Sequence, residues 1–276
     1  MLDLIIIGAG PAGLSACLYA SRAGLDVLIF DSAAPGGKLN VTAQIENYPG
    51  LKPTPGPEIA FTMYESALSF GAKMEYGEVL DIKDYGDYKE VVTAKQTYQT
   101  KYVLIATGTK ERQMNLEKEN ELVGRGISYC AVCDGPFFKN QEVAVIGGGN
   151  SGVEAAIDLA GICSKVTVFE FMETLKADTV LQEKVRSLPN VDIFTHTQTV
   201  EVLGDGDKVV GMIKKDRSSD KEEIFALDGI FVQIGLTANS ALFKDLVETN
   251  RMGEILTDKN GRTSVKGIYA AGDVTD

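Results

Sequence analysis

The 276-residue sequence predicts an α/β protein built twice on one plan: in each half a parallel sheet with helices on its faces, plus a small antiparallel sheet. Three observations lead there. The segments 3–7 and 142–146, each an acid followed by four apolar residues, have the continuous apolar pattern of strands buried on both faces. Each run enters a glycine-rich turn, then a helical stretch, then a second apolar strand that ends on an acid. Each of these modules is followed by residues richer in β-formers than in helix-formers.

Taken in order, residues 3–7 form the first strand and run into Gly8-Ala-Gly-Pro-Ala-Gly13. A helix over 14–23 stops at Gly24, and the strand 26–30 ends at Asp31. A proline-rich loop, 49–57, precedes a helix at about 58–70. Residues 75–105 read as strands and hairpins, with turns at Gly86-Asp87 and around Lys95-Gln96. They close with the apolar strand 102–106 and the turn Thr107-Gly108. The plan then repeats. Strand 142–146 enters Gly147-Gly-Gly-Asn-Ser-Gly152, a helix covers 153–160, and strand 165–169 ends at Glu170. The interval from Gly8 to Asp31 equals that from Gly147 to Glu170, which marks an internal repeat. Further strands fall at 191–194, 199–203, 209–214 and 229–234, and the run 216–223 reads as a solvated turn. Polar interruptions at about 109–116 and 235–240 read as hinges. They divide the chain into a discontinuous domain, 1–112 with 238–276, and an inserted domain, 113–237.

Composition excludes several classes. With 44% hydrophobic and 24% charged residues the chain can bury cores and is not disordered. A net charge of −12 argues against nucleic acid as a partner. No apolar run approaches the ~18–20 residues of a membrane helix, and the N-terminus reads as neither signal nor transit peptide. A cytoplasmic protein is expected. One histidine and the cysteine spacing fit no metal site. His196 lies in a polar connection and reads as solvated or locally bonded, and Cys17 and Cys163 read as small core residues.

Two motifs carry chemistry. In a glycine turn the first glycine permits the tight strand-to-helix bend. The second lets a pyrophosphate approach the backbone, and the third lets helix and strand pack closely. The free N–H groups of the helix start favour the anion. Two copies, each with its terminal acid (Asp31, Glu170), predict two dinucleotides. The other motif is Cys130-Ala-Val-Cys133-Asp134-Gly135. Two thiols at this spacing can close a disulfide; one can attack a partner and the other resolve the mixed disulfide. Half a zinc site and two buried cysteines are the other readings of the pair. Asp134, beside the pair, is the candidate proton donor and acceptor.

These residues in this order resemble the flavoprotein disulfide reductases, specifically the low-molecular-weight thioredoxin reductases and the flavoprotein of alkyl hydroperoxide reductase. The match runs through Gly8–Gly13, Gly36-Gly37, Ile45-Glu-Asn-Tyr-Pro-Gly50, Ala106-Thr107-Gly108, Cys130–Gly135, Gly147–Glu154 and Ala271-Gly272-Asp273-Val274. It implies FAD on the first module. Gly8, Gly10, Pro11, Ala12 and Gly13 would hold the pyrophosphate and Asp31 the ribose. Gly36, Gly37, Asn47, Ala106, Thr107, Gly108, Gly272 and Asp273 would lie along the rest of that cofactor. It implies a nicotinamide dinucleotide on Gly147, Gly149, Asn150, Ser151, Gly152, Glu154, Glu170 and Gly235. Cys133 would be the thiol nearest the flavin and Cys130 the one that attacks a protein substrate. The second domain would swing about the hinges. Lys38 stands where the family often has Gln, and family members continue past Gly-Asp-Val through a further helix. The chain begins at its first strand, which favours the thioredoxin-reductase branch, although 147–186 is more similar to the other.

The resemblance thus implies a homodimeric reductase passing electrons from NADH, less readily NADPH, through FAD and the Cys130–Cys133 disulfide. The acceptor would be a thioredoxin-like or glutaredoxin-like protein. A peroxiredoxin reductase or NADH oxidase, and a non-catalytic redox sensor, are the alternatives. NADPH-dependent relatives place His-Arg-Arg where this chain has Glu170-Phe171-Met172, and Arg where it has Lys176. A carboxylate ~4 Å from a 2′-phosphate charge repels it by about 4 kcal/mol at an effective dielectric of ~20. A preference for NADH of at least about tenfold is therefore expected.

Overall fold

Buried apolar runs, each stopped by glycine, produce the parallel strands of two sheets, one mixed and one wholly parallel, in the computed structural model, which describes residues 1–42, 44–45 and 48–276. The chain divides into two compact units: Met1–Lys110 with Thr237–Asp276, and Glu111–Leu236.

The first unit contains β1 (Leu2–Ile7), α1 (Pro11–Arg22), β2 (Val27–Asp31), α2 (Gly56–Leu68), β3 (Lys73–Tyr76), β4 (Val79–Asp84), β5 (Lys89–Thr93) and β6 (Thr97–Ile105). The short β7 (Thr109–Glu111) follows at its boundary. The strand order is β3-β2-β1-β6-β5-β4. The long β6 serves two sheets in one. Its first half pairs antiparallel with β5, and its second half pairs parallel with β1, Ile7 opposite Ile105. Side chains alternate along β1 as a pleated strand requires. Ile5 and Ile7 join a core with Phe30, Val103 and Ile105, while Ile6 joins Leu14, Cys17 and Ile29 under α1. Ile5 and Ile6 are fully buried, each contributing roughly 1.5–3 kcal/mol by burial.

The second unit repeats the order of strands. It holds α3 (Glu119–Leu122), β8 (Ile127–Ser128), α4 (Ala131–Asp134), β9 (Glu142–Ile146), α5 (Asn150–Ala160), β10 (Lys165–Phe169), α6 (Thr179–Arg186) and β11 (Val191–Phe194). The meander β12 (Thr197–Gly204), β13 (Val209–Asp216), β14 (Glu222–Ala226) then leads to β15 (Gly229–Val232). Its parallel sheet runs β11-β10-β9-β15-β8. After β16 (Leu236–Ala238) the chain returns to the first unit, where Phe243, Val247, Ile255 and Val274 complete the Ile5 core and β17 (Ile268–Ala270) pairs with β6.

The first and second units place corresponding strands in corresponding positions. β3-β2-β1-β6 matches β11-β10-β9-β15, and the outer partners are β17 in one unit and β8 in the other. Both helices after the glycine turns start earlier than hydrophobic periodicity predicts, at Pro11 and Asn150. Proline suits the first helical position because its missing N–H would have no partner there. The acidic run 216–223 is only partly a turn. Asp216 ends β13 and Glu222 begins β14, where Glu223 pairs with Lys214 and Lys221. Cross-strand charge pairing thus lets a polar, exposed segment continue the sheet. Cys17 and Cys163 are both buried free thiols, and no described helix is long and apolar enough to cross a membrane.

Candidate functional site

The first glycine turn joins β1 to α1. A Cβ on Gly8 would lie 2.2 Å from the Ala106 carbonyl oxygen, and one on Gly13 would lie 1.9 Å from that of Gly8. Packing alone therefore demands glycine at these two positions. Gly10 is different: a Cβ there would meet nothing within 4 Å. It caps α1 with φ −75°, a conformation open to any residue. Protein packing gives no reason for its lack of a side chain, and the bare glycine leaves the N–H groups at the helix start open to an approaching group.

The predicted neighbours assemble around this turn. Gly36 N–H donates to the Ala9 carbonyl at 2.7 Å, and a Cβ on Gly37 would come within 3.2 Å of the Gly10 Cα. Thr107 is fastened to Asn239 by its hydroxyl (2.8 Å) and its carbonyl (3.1 Å), and Gly108 accepts from the Asn239 N–H at 2.9 Å. A Cβ on Gly272 would lie 2.8 Å from that of Ala12, which brings the exposed Asp273 to the same helix start. Asp31 accepts from the N–H groups of Ala9 (2.7 Å) and Ala33 (2.9 Å). Gly8, Asp31, Gly77, Thr107 and Phe243 line a cavity of about 400 Å³. Asn47 lies outside the described residues.

The second turn is a copy of the first in its contacts. A Cβ on Gly147 would lie 2.1 Å from the Gln233 carbonyl oxygen, and one on Gly152 2.0 Å from that of Gly147. Gly149, again the helix cap, would meet nothing within 4 Å. Asn150 is held by reciprocal bonds with Asp178. Ser151 and Glu154 are exposed on the first turns of α5. Partial desolvation by the surrounding chain, with Asp158 and Asp178 nearby, nonetheless raises the Glu154 carboxyl above its ordinary value. Gly235 has φ 98°, open to glycine, and its carbonyl accepts from the Arg112 N–H at 2.9 Å.

Glu170 is not the solvent-facing strand end that sequence allows. It is 7% exposed, and its two carboxylate oxygens accept from Gly148 N–H at 2.5 Å and Met172 N–H at 2.7 Å. The Gly148 bond spans 22 residues, as does the Ala9–Asp31 bond of the first unit. Each terminal acid therefore braces its own glycine turn. Phe171 and Met172 are exposed. Arg217, from the β13–β14 connection, lies 3.5 Å over the Phe171 ring and donates to the Phe171 carbonyl at 2.8 Å. Sequence reasoning missed this cation because it comes from 46 residues away. His196 sits beside it with φ 53°, its ring nitrogen 2.7 Å from the Ser218 hydroxyl.

The dithiol turn follows β8, a parallel strand of the same sheet, so it leaves the same edge as the second glycine turn. Carboxyl ends of parallel strands are where open α/β sheets place ligands. Cys130 and Cys133 form a disulfide, and the Cys130 sulfur accepts from Cys133 N–H at 3.1 Å. Cys130 is half-buried and Cys133 exposed. Asp134 donates its N–H to the Cys130 carbonyl at 3.1 Å and accepts from the Ser128 hydroxyl at 2.7 Å. Gln233, whose carbonyl walls Gly147, donates through its side chain to the Tyr129 carbonyl at 2.9 Å. The Tyr129 hydroxyl donates to the buried Glu119 at 2.7 Å; burial and this carboxylate hold the phenol far above its ordinary value. Ser128, Tyr129 and Gln233 had no motif to announce them; only strand pairing assembles them.

Comparison with known proteins agrees with this architecture. The F component of the alkyl hydroperoxide reductase of Pseudomonas putida is 47% identical over 277 residues, which is 99% of this chain and 53% of that protein. Thioredoxin reductase of Listeria monocytogenes is 42% identical over 272 residues, covering 99% of this chain and 85% of that protein. The chain thus spans about half the length of the first relative. The crystal structure of Lactococcus lactis thioredoxin reductase (FR conformation) matches with a TM-score of 0.95 at 38% identity, covering 100% of this chain and 91% of that one. The T. acidophilum thioredoxin reductase matches at 0.92 and 39% identity, covering 100% and 90%. Residues 2–276 match the profile of the pyridine nucleotide-disulphide oxidoreductases, and the chain belongs to that family.

Proposed function

We propose that the chain is a flavoprotein disulfide reductase that takes electrons from NADH and delivers them, through Cys130 and Cys133, to a disulfide of a thioredoxin-like protein. The observation that carries the reading is the disulfide turn lying on the same sheet edge as a glycine turn whose middle glycine faces open space. FAD fits the first turn for the same reason: Gly10 is bare although no protein atom requires it. Gly8–Gly13 would hold its pyrophosphate, with Asp31 for the ribose and Thr107 and Asp273 along its length. When bound, the flavin accepts a hydride from nicotinamide and makes two electrons available to the disulfide. Gly147–Gly152 would hold the NADH pyrophosphate. Glu170, a buried carboxylate beside the turn, supports the preference for NADH over NADPH by repelling a 2′-phosphate.

The protein's own residues account for the thiol chemistry. The Cys133 N–H directed at the Cys130 sulfur stabilises a thiolate there, so Cys130 is suited to attack the partner. Cys133 then resolves the mixed disulfide, and Asp134 supplies and recovers the proton. The unit Met1–Lys110 with Thr237–Asp276 is the FAD-binding domain on this reading, and Glu111–Leu236 the NADH-binding domain that carries the dithiol.

The purified protein should be yellow, should oxidise NADH in the presence of a thioredoxin, and should lose protein-disulfide reduction on Cys133→Ser while NADH still bleaches the flavin. Undiminished disulfide turnover in that variant would remove the dithiol from the pathway. The 47% identity to F components of alkyl hydroperoxide reductases favours a second acceptor class, a peroxiredoxin-type disulfide. A side-by-side panel of thioredoxins, glutaredoxins and peroxiredoxin-linked disulfides, ranked by kcat/KM, separates the two.

A further inference from the structure

We propose that Ser128 is the positioning residue of the dithiol turn: its buried hydroxyl holds the Asp134 carboxylate against the Cys130 end of the turn, where that carboxylate exchanges protons with the thiol pair. The inference rests on the reading of Asp134 as the proton donor and acceptor.

Ser128 is the last residue of β8 and is 4% exposed. Pairing with Phe231 of β15 fixes its backbone. Its hydroxyl oxygen accepts from Cys130 N–H at 3.0 Å. Its single proton has two acceptors in range, the Asp134 carboxylate at 2.7 Å and the Cys130 carbonyl at 3.2 Å. The shorter, charge-assisted bond takes it. The Cys130 carbonyl is in any case served by the Asp134 N–H at 3.1 Å. Ser128, Cys130 and Asp134 thus form a closed ring of three hydrogen bonds, two of which would be lost with the hydroxyl. Without it the Asp134 side chain, half-buried at the end of the four-residue α4, has no partner among the described contacts to keep it beside Cys130. A misplaced acid–base group loses much of its effect, since displacements of about 1 Å can cost on the order of 10²-fold in rate.

The test uses the reduced dithiol and an aromatic disulfide, and needs no nucleotide. A cysteine thiolate attacks one sulfur of 5,5′-dithiobis(2-nitrobenzoate) and expels one coloured thiolate. The second cysteine attacks the mixed disulfide, re-forms Cys130–Cys133 and expels another. Two electrons and two protons leave the cysteine pair in all. The pH profile of the first step reports thiol ionisation as coupled to the neighbouring carboxylate. Tyr129 with its partner Glu119, Lys139 along the chain, and Glu154 and Asp158 of α5, the helix packed against α4, are unchanged in every variant, so their influence cancels.

Asp134→Asn should displace the profile midpoint. Ser128→Ala should displace it in the same sense by at least half as much, Ser128→Thr should return it toward the parent, and Ser128→Ala added to Asp134→Asn should change nothing further. An equal effect of Ser128→Ala in both backgrounds, or none where Asp134→Asn has one, overturns the proposal while leaving the role of Asp134 standing. A profile unmoved by Asp134→Asn overturns both. Melting curves check folding, and if Ser128→Ala does not fold, Ser128→Gly is read by the same criteria.

Discussion

Substituting alanine for glycine at two positions of one turn separates a ligand's demand from the protein's own. At Gly13 the new Cβ would sit 1.9 Å from the Gly8 carbonyl oxygen and 3.0 Å from its carbon. Both are backbone atoms, so α1 must move away from β1 by about 1.5 Å to reach ordinary contact distances. Overpacking of this kind costs about 1–3 kcal/mol, and the upper end corresponds to a fall in Tm of roughly 6–12 °C for a chain of this size. At Gly10 the same methyl meets nothing within 4 Å, and φ is −75°. The only intrinsic loss is the poorer capping of alanine, about 1 kcal/mol or less. A dinucleotide is affected in the opposite order. A phosphate oxygen must come within about 2.9 Å of the helix-start N–H groups, and a methyl group on Gly10 stands in that path. Losing two charge-assisted bonds at about 1.5–3 kcal/mol each weakens binding on the order of 10²–10⁴-fold. Gly10→Ala should therefore melt in the apo form close to the parent and fail to retain FAD. Gly13→Ala should melt well below the parent. The assays are apo-protein melting and titration of the stripped protein with FAD. If Gly10→Ala binds FAD with the parent Kd, no pyrophosphate crosses that glycine and the assignment of the first turn is wrong.

Two further outcomes are expected. Glu170→Gln keeps one acceptor oxygen for the two N–H donors of Gly148 and Met172, so stability should fall by about 1–3 kcal/mol. The kcat/KM ratio of NADH to NADPH, at least about tenfold in the parent on the repulsion argument, should drop toward parity; an unchanged ratio would mean that Glu170 only braces the turn. Arginine at this position would have to enter a buried site, which makes glutamine the cleaner substitution. Burial pushes the Cys163 thiol up to about 11 from 9.0, and burial raises Cys17 as well. At pH 8 the reduced native protein should therefore lose only Cys130 and Cys133 to iodoacetamide, counted by mass spectrometry. Between pH 9.0 and about 11 an unfolded chain releases the Cys163 proton while the folded one keeps it, so the stability contributed by that site should decline as pH rises through this window. Rapid native alkylation of Cys163 at pH 8 would contradict its burial.

The doubled α/β plan, both glycine turns with their terminal acids, and the CxxC pair were legible in the amino-acid order alone. Each of these is a local pattern: a strand run, a glycine spacing and an acid at a set interval, or two thiols three positions apart. Local patterns can be read because the atoms involved are held together by the chain itself. Tertiary structure decided the rest. Hydrophobic pattern could not show that Glu170 is buried and bonded to Gly148, since a strand-end acid has the same sequence whether it faces water or a turn. The extent of β14 was hidden because an exposed antiparallel strand stabilised by Lys214–Glu223 pairing is as polar as a loop. Arg217 reaches Phe171 only through the meander, and Ser128 reaches Asp134 only because α4 folds the chain back on the strand that Ser128 ends. The difference among the glycines is of the same kind. All six of Gly8, Gly10, Gly13, Gly147, Gly149 and Gly152 are one letter in the sequence, and only the packed backbone distinguishes four held by steric necessity from two left bare.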